Sequence, residues 1–367
     1  MKPKVSIIST IYNKAPWLDR LFKSILEQSF TDFEYIAVNN ASTDESRSIM
    51  QKYAELDNRI KIIDIAKNIG PSNGFATGID NIKGEYFTII DADDYVNGDY
   101  IEKLVSALEE TQADASMCVN DMVWDDGTVK HKKWPEAKLN IINSDMSKCL
   151  PCQLLDELSN KYFGFYMPEI GAVWNIMYKT ALVKESKINF ETPVWIWTDF
   201  VFNMRVIKQI KKLAYINTTV YHFYQAPNSV TRQAKFNARF IEHVCIAMQR
   251  IYEETQEILT DELITASNVF YAKRLNDIIG QYVKYLNNGV SVGMIKEAAQ
   301  FLLQQNAIRQ LCTNGNKSAL TLKERLLVYS LNHGLIVPYS ILRYFKEKLI
   351  VNLSRIKHSL IYVITKR

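Results

Sequence analysis

No stretch of this 367-residue chain reaches the ~18–20 consecutive apolar positions that a membrane-crossing helix requires. Cysteine is scarce and odd in number, five in all (Cys118, Cys149, Cys152, Cys245 and Cys312). That excludes a disulfide-stapled scaffold and points to a reduced, intracellular setting. Cys149-Leu150-Pro151-Cys152 has the CxxC spacing, but it lacks a second ligand pair and a neighbouring His, so it reads as two incidental thiols. The apolar run Val5 to Thr10 is too short for a secretory signal and is broken by Asn13-Lys14, so it reads as a buried strand. Val5 to Asn13 also contains no glycine. This removes the glycine-rich phosphate loops of dinucleotide-binding oxidoreductases and of nucleotidyltransferases. Internal repeats and low-complexity segments are absent as well.

What is present fits a two-domain globular protein. Hydrophobic residues make up 47% and charged residues 23%, ordinary values for packed domains. Single cores usually stop growing near ~250–300 residues, so this length suits two. Charge divides the chain. Residues 1–231 hold 25 Lys/Arg against 30 Asp/Glu, while residues 232–367 hold 19 against 10. The basic second part favours anionic partners.

The first hundred residues alternate between strand and helix patterns. Val5–Thr10, Tyr35–Val38, Ile60–Ile65 and Gly84–Ile90 read as strands. Leu18, Leu21, Phe22, Ile25 and Leu26 fall at helical spacing, as do Ile49, Met50 and Tyr53 behind a Ser42 or Thr43 cap. Helices are expected around 75–82 and over 101–112. Such alternation implies an α/β fold with a mostly parallel sheet, whose ligands bind beyond the carboxyl ends of the strands. The clusters Thr10–Asn13, Asn39–Asp44 and Asp91–Asp94 all fall at that edge. From 113 to about 232 the pattern is irregular and aromatic. Beyond it, helices are expected over 240–257, 262–287, 292–304, 323–331 and 340–364, giving domains 1–232 and 233–367.

Asp91-Ala92-Asp93-Asp94 carries the chemistry. Three carboxylates in four residues repel one another unless a cation lies between them. Strand alternation puts Asp91 and Asp93 on one side, an arrangement suited to Mg²⁺ or Mn²⁺ bound with help from substrate phosphates. The bland alternative is an acidic turn capping the next helix.

With that element in place the chain resembles the family-two glycosyltransferases of GT-A fold. The resemblance rests on Val5–Asn13, on Ala37-Val38-Asn39-Asn40-Ala41-Ser42-Thr43-Asp44, on Gly84-Glu85-Tyr86 and on Asp91–Asp94, in that order and spacing. It covers residues 4–100 and continues more weakly to about 232. It implies that Thr10 to Tyr12 line a base pocket and that Asn39 or Asn40 reads the base edge. It further implies that Asp91 faces the ribose and sugar, and that Asp93 with Asp94 holds the metal, Mn²⁺ or Mg²⁺.

Two departures stand out. The family usually has an acidic pair followed by Gly at Asn39-Asn40-Ala41, and many relatives carry Arg at Phe75. Lys67 and Arg232 are the candidates to replace that cation at a diphosphate. Val173–Lys179 and Trp197-Thr198-Asp199 resemble the acceptor-side motifs. Asp199 is accordingly expected as the base that takes the acceptor hydroxyl proton, or else as part of a helix cap. Trp174, Trp195 and Trp197 are the candidate sugar-stacking rings, with core packing as their alternative. His222, inside Tyr221–Tyr224, is expected to be packed or hydrogen-bonded.

The implied function is inverting, metal-dependent transfer of a sugar from a nucleoside diphosphate, UDP first, to a hydroxyl of a surface glycan or lipid-linked oligosaccharide. A catalytically inactive glycan-binding scaffold is the alternative. No nucleic-acid partner is expected. The segment from 340 to the C-terminus carries seven Lys/Arg and one Glu on an apolar stripe. It suits either peripheral attachment to an anionic inner membrane face or packing on its own domain or a second subunit; a lipid-linked acceptor favours the first.

Overall fold

The computed structural model describes residues 2–68, 70–131, 139–156, 163, 170–192, 194–225, 238–313 and 319–348. The chain divides into two compact units, residues 1–233 and 234–367.

In the first unit, β1 (Val5–Ile11) is followed by α1 (Ala15–Leu26), β2 (Phe33–Asn39), α2 (Ser46–Leu56), β3 (Ile60–Asp64), α3 (Pro71–Asn81) and β4 (Tyr86–Ile89). Then come β5 (Tyr95–Val96), α4 (Tyr100–Thr111), β6 (Ala115–Val123), β7 (Val129–His131), β8 (Leu139–Ile142), α5 (Ser144–Ser147) and α6 (Leu150–Leu155). The unit closes with β9 (Ile176–Lys179), α7 (Thr180–Glu185), α8 (Thr198–Ile207) and β10 (Leu213–Tyr224). One sheet runs β3-β2-β1-β4-β9-β6-β10-β5, with β7 added to β6 and β8 to β10.

β3, β2, β1 and β4 are parallel throughout. The apolar faces of α1 and α2 cover this half: Leu18, Leu21, Phe22 and Ile25 are fully buried, and Phe22 stacks on Tyr53 at 4.7 Å. Past β4 the sheet is mixed, because β9 runs antiparallel between β4 and β6. The sequence stretch expected as an acceptor motif, 173–179, is therefore largely a central strand. β6 and β10 run parallel, and β10 shifts register between Ile216 and Tyr221. Aromatic residues buried on both faces hide these strands from a period-2 pattern. Cys149 precedes α6, and Cys152 is buried within it.

The second unit is helical among its described residues. It contains α9 (Ala238–Gln256), α10 (Asp261–Lys284), α11 (Val292–Gln304), α12 (Asn306–Thr313), α13 (Leu322–Asn332) and a helix over 336–348. Thr260, Ser291 and Thr321 cap their helices through side-chain oxygens, and Thr321 with Glu324 forms a capping box. The helix expected over 340–364 is described to residue 348; its remainder lies outside the described residues. No described helix is long and apolar enough to cross a membrane.

Candidate active site

β1, β2 and β4 end side by side, and the loops beyond them are sewn together. Asn13, at φ +51°, gives its N–H to Ser42 Oγ at 3.2 Å and accepts from Thr43 N at 2.8 Å. Lys14 N donates to Ser46 Oγ at 2.9 Å. Ala41 is left-handed, at φ +60°. A turn that prefers glycine is thus kept with a residue that bears a Cβ, at a cost of about 1–2 kcal/mol.

The two asparagines of this turn have different jobs. Asn39 is committed to the scaffold: its Nδ2 donates to Asp64 Oδ1 at 2.8 Å and its Oδ1 accepts from Ser42 N at 3.0 Å. Asn40 donates to Gly70 O at 3.0 Å and Asn68 Oδ1 at 3.3 Å, leaving its buried Oδ1 without a protein partner. A carbonyl can only accept, so the contact with Gly70 fixes which end of the amide is oxygen. Thr10 Oγ1 is likewise buried and unpartnered. Its methyl presses on α3, where a Cβ at Gly74 would lie 2.1 Å from Thr10 Cγ2. Tyr12, at the mouth, is 44% exposed.

β4 delivers the acidic run. Asp94 N donates to Asp91 O at 3.0 Å, tightening the turn. Asp94, expected as a metal ligand, is a structural acid instead. It is fully buried, with Oδ2 accepting from Tyr221 Oη at 2.6 Å and Oδ1 from Tyr224 N at 2.7 Å. The same Tyr221 hydroxyl accepts from Asp91 N at 3.2 Å, so β10 clamps the turn from below. Asp91 and Asp93 remain partly exposed. Asp93 Oδ2 meets Lys14 Nζ at 2.5 Å, and its carbonyl accepts from Arg20 Nη2 at 2.8 Å. Arg20 is held between the rings of Tyr95 and Tyr224, at 4.6 and 4.4 Å from their centroids.

Asp199 sits in the first turn of α8, its Oδ1 accepting from Phe200 N at 3.0 Å. Trp197 before it is left-handed, at φ +56°, a strained conformation for a bulky residue. Behind α8 runs an aromatic stack: Phe202 lies parallel to Phe190 at 4.1 Å, and Phe190 stacks on Phe75 at 4.9 Å. Phe75, where the family resemblance implies a cation, is therefore core packing that ties α3 to the helix bearing Asp199.

Burial raises the Asp199 carboxyl to about 6. Burial also raises Asp91, to about 7, with repulsion from Asp93 and from Asp199 adding to it and Lys14 opposing it. Repulsion from Asp199 is felt at Asp91, so the first turn of α8 lies within electrostatic range of the acidic turn. Among the described residues no group of three His, Cys, Asp or Glu side chains forms a metal cage. The hard carboxylate oxygens of Asp91 and Asp93, the latter already paired with Lys14, fit a divalent cation completed by phosphate oxygens.

The tryptophans separate. Trp174, expected near an acceptor, is core: it is 6% exposed and stacks between Tyr221 at 4.7 Å and Phe223 at 5.2 Å. Trp195 is 39% exposed and lies over Gly70, where a Cβ would fall 2.6 Å from its Nε1. Gly70, at φ +117°, is thus required both by its backbone and by that ring. This puts Trp195 beside Asn40 rather than apart from the donor edge. Trp197 is half-buried. Lys67 is exposed, and Arg232 lies outside the described residues. His222 stacks on Tyr95 at 4.5 Å and its Nε2 pairs with Asn97 Oδ1 at 2.7 Å. Lys14 and Arg20 are the residues that sequence reasoning missed. Only tertiary contact reveals them, although Lys14 follows directly on the first motif.

A parallel β3-β2-β1-β4 half with an acidic turn at the end of β4, extended by a mixed half, is the GT-A nucleotide-sugar transferase architecture. The solved structure titled S. aureus TarS 1–349 in complex with UDP-GlcNAc shares it, with TM-score 0.65 and 20% identity over 92% of this chain and 89% of that one. Residues 6–161 match the model of Glycosyl transferase family 2. Among curated relatives, the uncharacterized glycosyltransferase EpsJ of Bacillus subtilis is 28% identical over 63% of this chain and 64% of its own length. The putative teichuronic acid biosynthesis glycosyltransferase TuaG of the same organism is 31% identical over 35% of this chain and 50% of its own. The chain spans less than two thirds of the length of these relatives.

Proposed function

We propose that the chain is an inverting, metal-dependent glycosyltransferase that moves a sugar from a UDP-sugar to a hydroxyl of a surface glycan or lipid-linked oligosaccharide. The observation that carries this reading is the acidic turn Asp91–Asp94 that follows β4 at the carboxyl edge of the parallel half-sheet, with the charge of Asp199 felt at Asp91. Asp199, raised to about 6, is largely ionised at neutral pH yet still basic enough to take a proton from the attacking hydroxyl. Asp91 orients the donor sugar, and Asp93 holds the divalent cation. Bound there, Mn²⁺ or Mg²⁺ offsets the diphosphate charge and so eases departure of the nucleoside diphosphate.

Asn40 supports uracil as the base. With its N–H groups spent on Gly70 and Asn68, what it has left is an acceptor, which suits the N3–H of uracil and opposes the bare N3 of cytosine. The UDP-GlcNAc complex of the structural neighbour agrees with that choice. The likeness to TuaG, a putative teichuronic acid biosynthesis glycosyltransferase, supports an envelope-glycan acceptor. In this reading Tyr12 and Trp195 are the rings assigned to the donor, and Trp197, two residues before Asp199, is assigned to the acceptor.

Residues 1–232 are the catalytic domain, and 233–367 serve attachment. Leu342 and Phe345 are 71% and 64% exposed beside Lys346 and Lys348. An apolar stripe flanked by cations suits peripheral binding to the anionic inner face of a membrane.

The test is release of UDP from UDP-GlcNAc in the presence of Mn²⁺. Wild type should hydrolyse donor slowly and Asp199→Asn should not. Equal rates in both would remove Asp199 as the base. Absence of hydrolysis and of any nucleotide binding would favour an inactive glycan-binding scaffold.

A further inference from the structure

Lys14 stands at the acidic turn in a way the carboxylates alone do not explain. Its Nζ lies 2.5 Å from Asp93 Oδ2 and 5.2 Å from the centroid of the Trp17 ring, while its backbone N–H is anchored on Ser46. Its charge reaches further than this one pair: it is also the cation that lowers the pKa of both Asp91 and Asp94. The side chain stays 29% exposed. An ammonium has three donors, and among the described residues Asp93 is its hydrogen-bond partner. Two N–H groups of the ammonium are thus left for a ligand at the acidic turn.

Other cations at this edge are differently disposed. Arg20 is spent on the Asp93 carbonyl and gripped by two tyrosine rings. Lys67 is exposed, and Phe75 is sealed in its stack.

We propose that Lys14 binds the diphosphate of the donor, a role that rests on the transferase reading above. The ammonium stays on Asp93 and turns its two remaining donors to phosphate oxygens. A carboxylate offers about four lone-pair sites, so Asp93 can serve the ammonium and a divalent cation together. The diphosphate then lies against two cations that share one anchor, and charge-assisted bonds of this kind are the strong ones.

The experiment is calorimetric titration of UDP and of uridine, each with Mn²⁺, into wild type, Lys14→Met and Lys14→Arg. Methionine keeps the stem that packs on Trp17 and removes the donors. UDP affinity should fall about tenfold or more in Lys14→Met, uridine affinity should stay unchanged, and Lys14→Arg should retain most of the UDP affinity. Unchanged or tighter UDP binding in Lys14→Met would overturn the proposal, for then Lys14 merely neutralises Asp93 and competes with the metal. Parallel loss of uridine would also overturn it. A thermal melt of each variant reports folding, and Lys14→Gln replaces methionine if that variant does not fold. Wild type that binds no UDP at all would sink the transferase reading itself. A wild type that binds, with an indifferent Lys14→Met, sinks only this inference.

Discussion

Lowering the pH from 7 to 5 should switch the site off without unfolding the protein. With its pKa raised to about 6 by burial, Asp199 is about 90% ionised at pH 7 and about 10% ionised at pH 5. A base that must be ionised therefore loses about tenfold in rate over those two units. An ordinary aspartate, at ~3.9, would lose less than about a tenth. Asp91 titrates near 7 and is coupled to Asp199, so in the absence of metal the limb belongs to the pair. Saturating Mn²⁺ favours the ionised form of Asp91 and leaves the limb to Asp199.

Stability moves the other way. Both acids keep protons in the folded state that the unfolded chain has already released between about pH 4 and 7. Their contribution to stability is therefore present at low pH and is lost as pH rises through that window. The assay is steady-state UDP release from UDP-GlcNAc at saturating donor and Mn²⁺, from pH 5 to 8, with a melt at each pH. A flat profile, or a limb below pH 5 in folded protein, would refute the environment assigned to Asp199.

Three substitutions test the scaffold around the site. Ala41→Gly relieves a left-handed residue and should raise stability by about 0.5–1 kcal/mol, after the entropy of glycine is subtracted, measured by urea denaturation. Asp94→Asn turns one amide N–H₂ toward Tyr221 Oη or Tyr224 N, both donors now, and should cost about 1–3 kcal/mol in the same assay. Phe190→Ala empties the middle of the Phe75–Phe190–Phe202 stack and should cost about 3–5 kcal/mol. In the fraction that remains folded, kcat should fall further than UDP affinity, because α8 carries the base.

The donor half is legible in sequence because local signals and tertiary placement agree there. Each buried run in 5–90 ends in a polar cluster, and parallel pairing carries all those clusters to one edge. The same logic marks Asp91 and Asp93 as candidates, whereas Asp199, in the first turn of α8, is reached only through the family resemblance. It fails where identity and environment part. Asp93 and Asp94 look equivalent as letters, yet one step along a turn sends Asp94 under β10 and leaves Asp93 outward. Asn39 and Asn40 part in the same way, the first facing Asp64 and the second Gly70. Trp174 reads as a sugar platform only until β9 puts it inside the sheet's aromatic core. β6, β9 and β10 carry no alternation because both faces are covered, and α12, eight residues long, is too short for periodicity to declare. Lys14 has no local signature at all; its partner is 79 residues away.

The central claim is a metal-assisted UDP site built on Asp93, and calorimetric titration of UDP with and without Mn²⁺ into wild type and Asp93→Ala tests it most directly. Binding that requires the metal and disappears in Asp93→Ala, with the variant still folded, is the predicted result. UDP binding of equal strength in both proteins, or none to wild type under either condition, would contradict it.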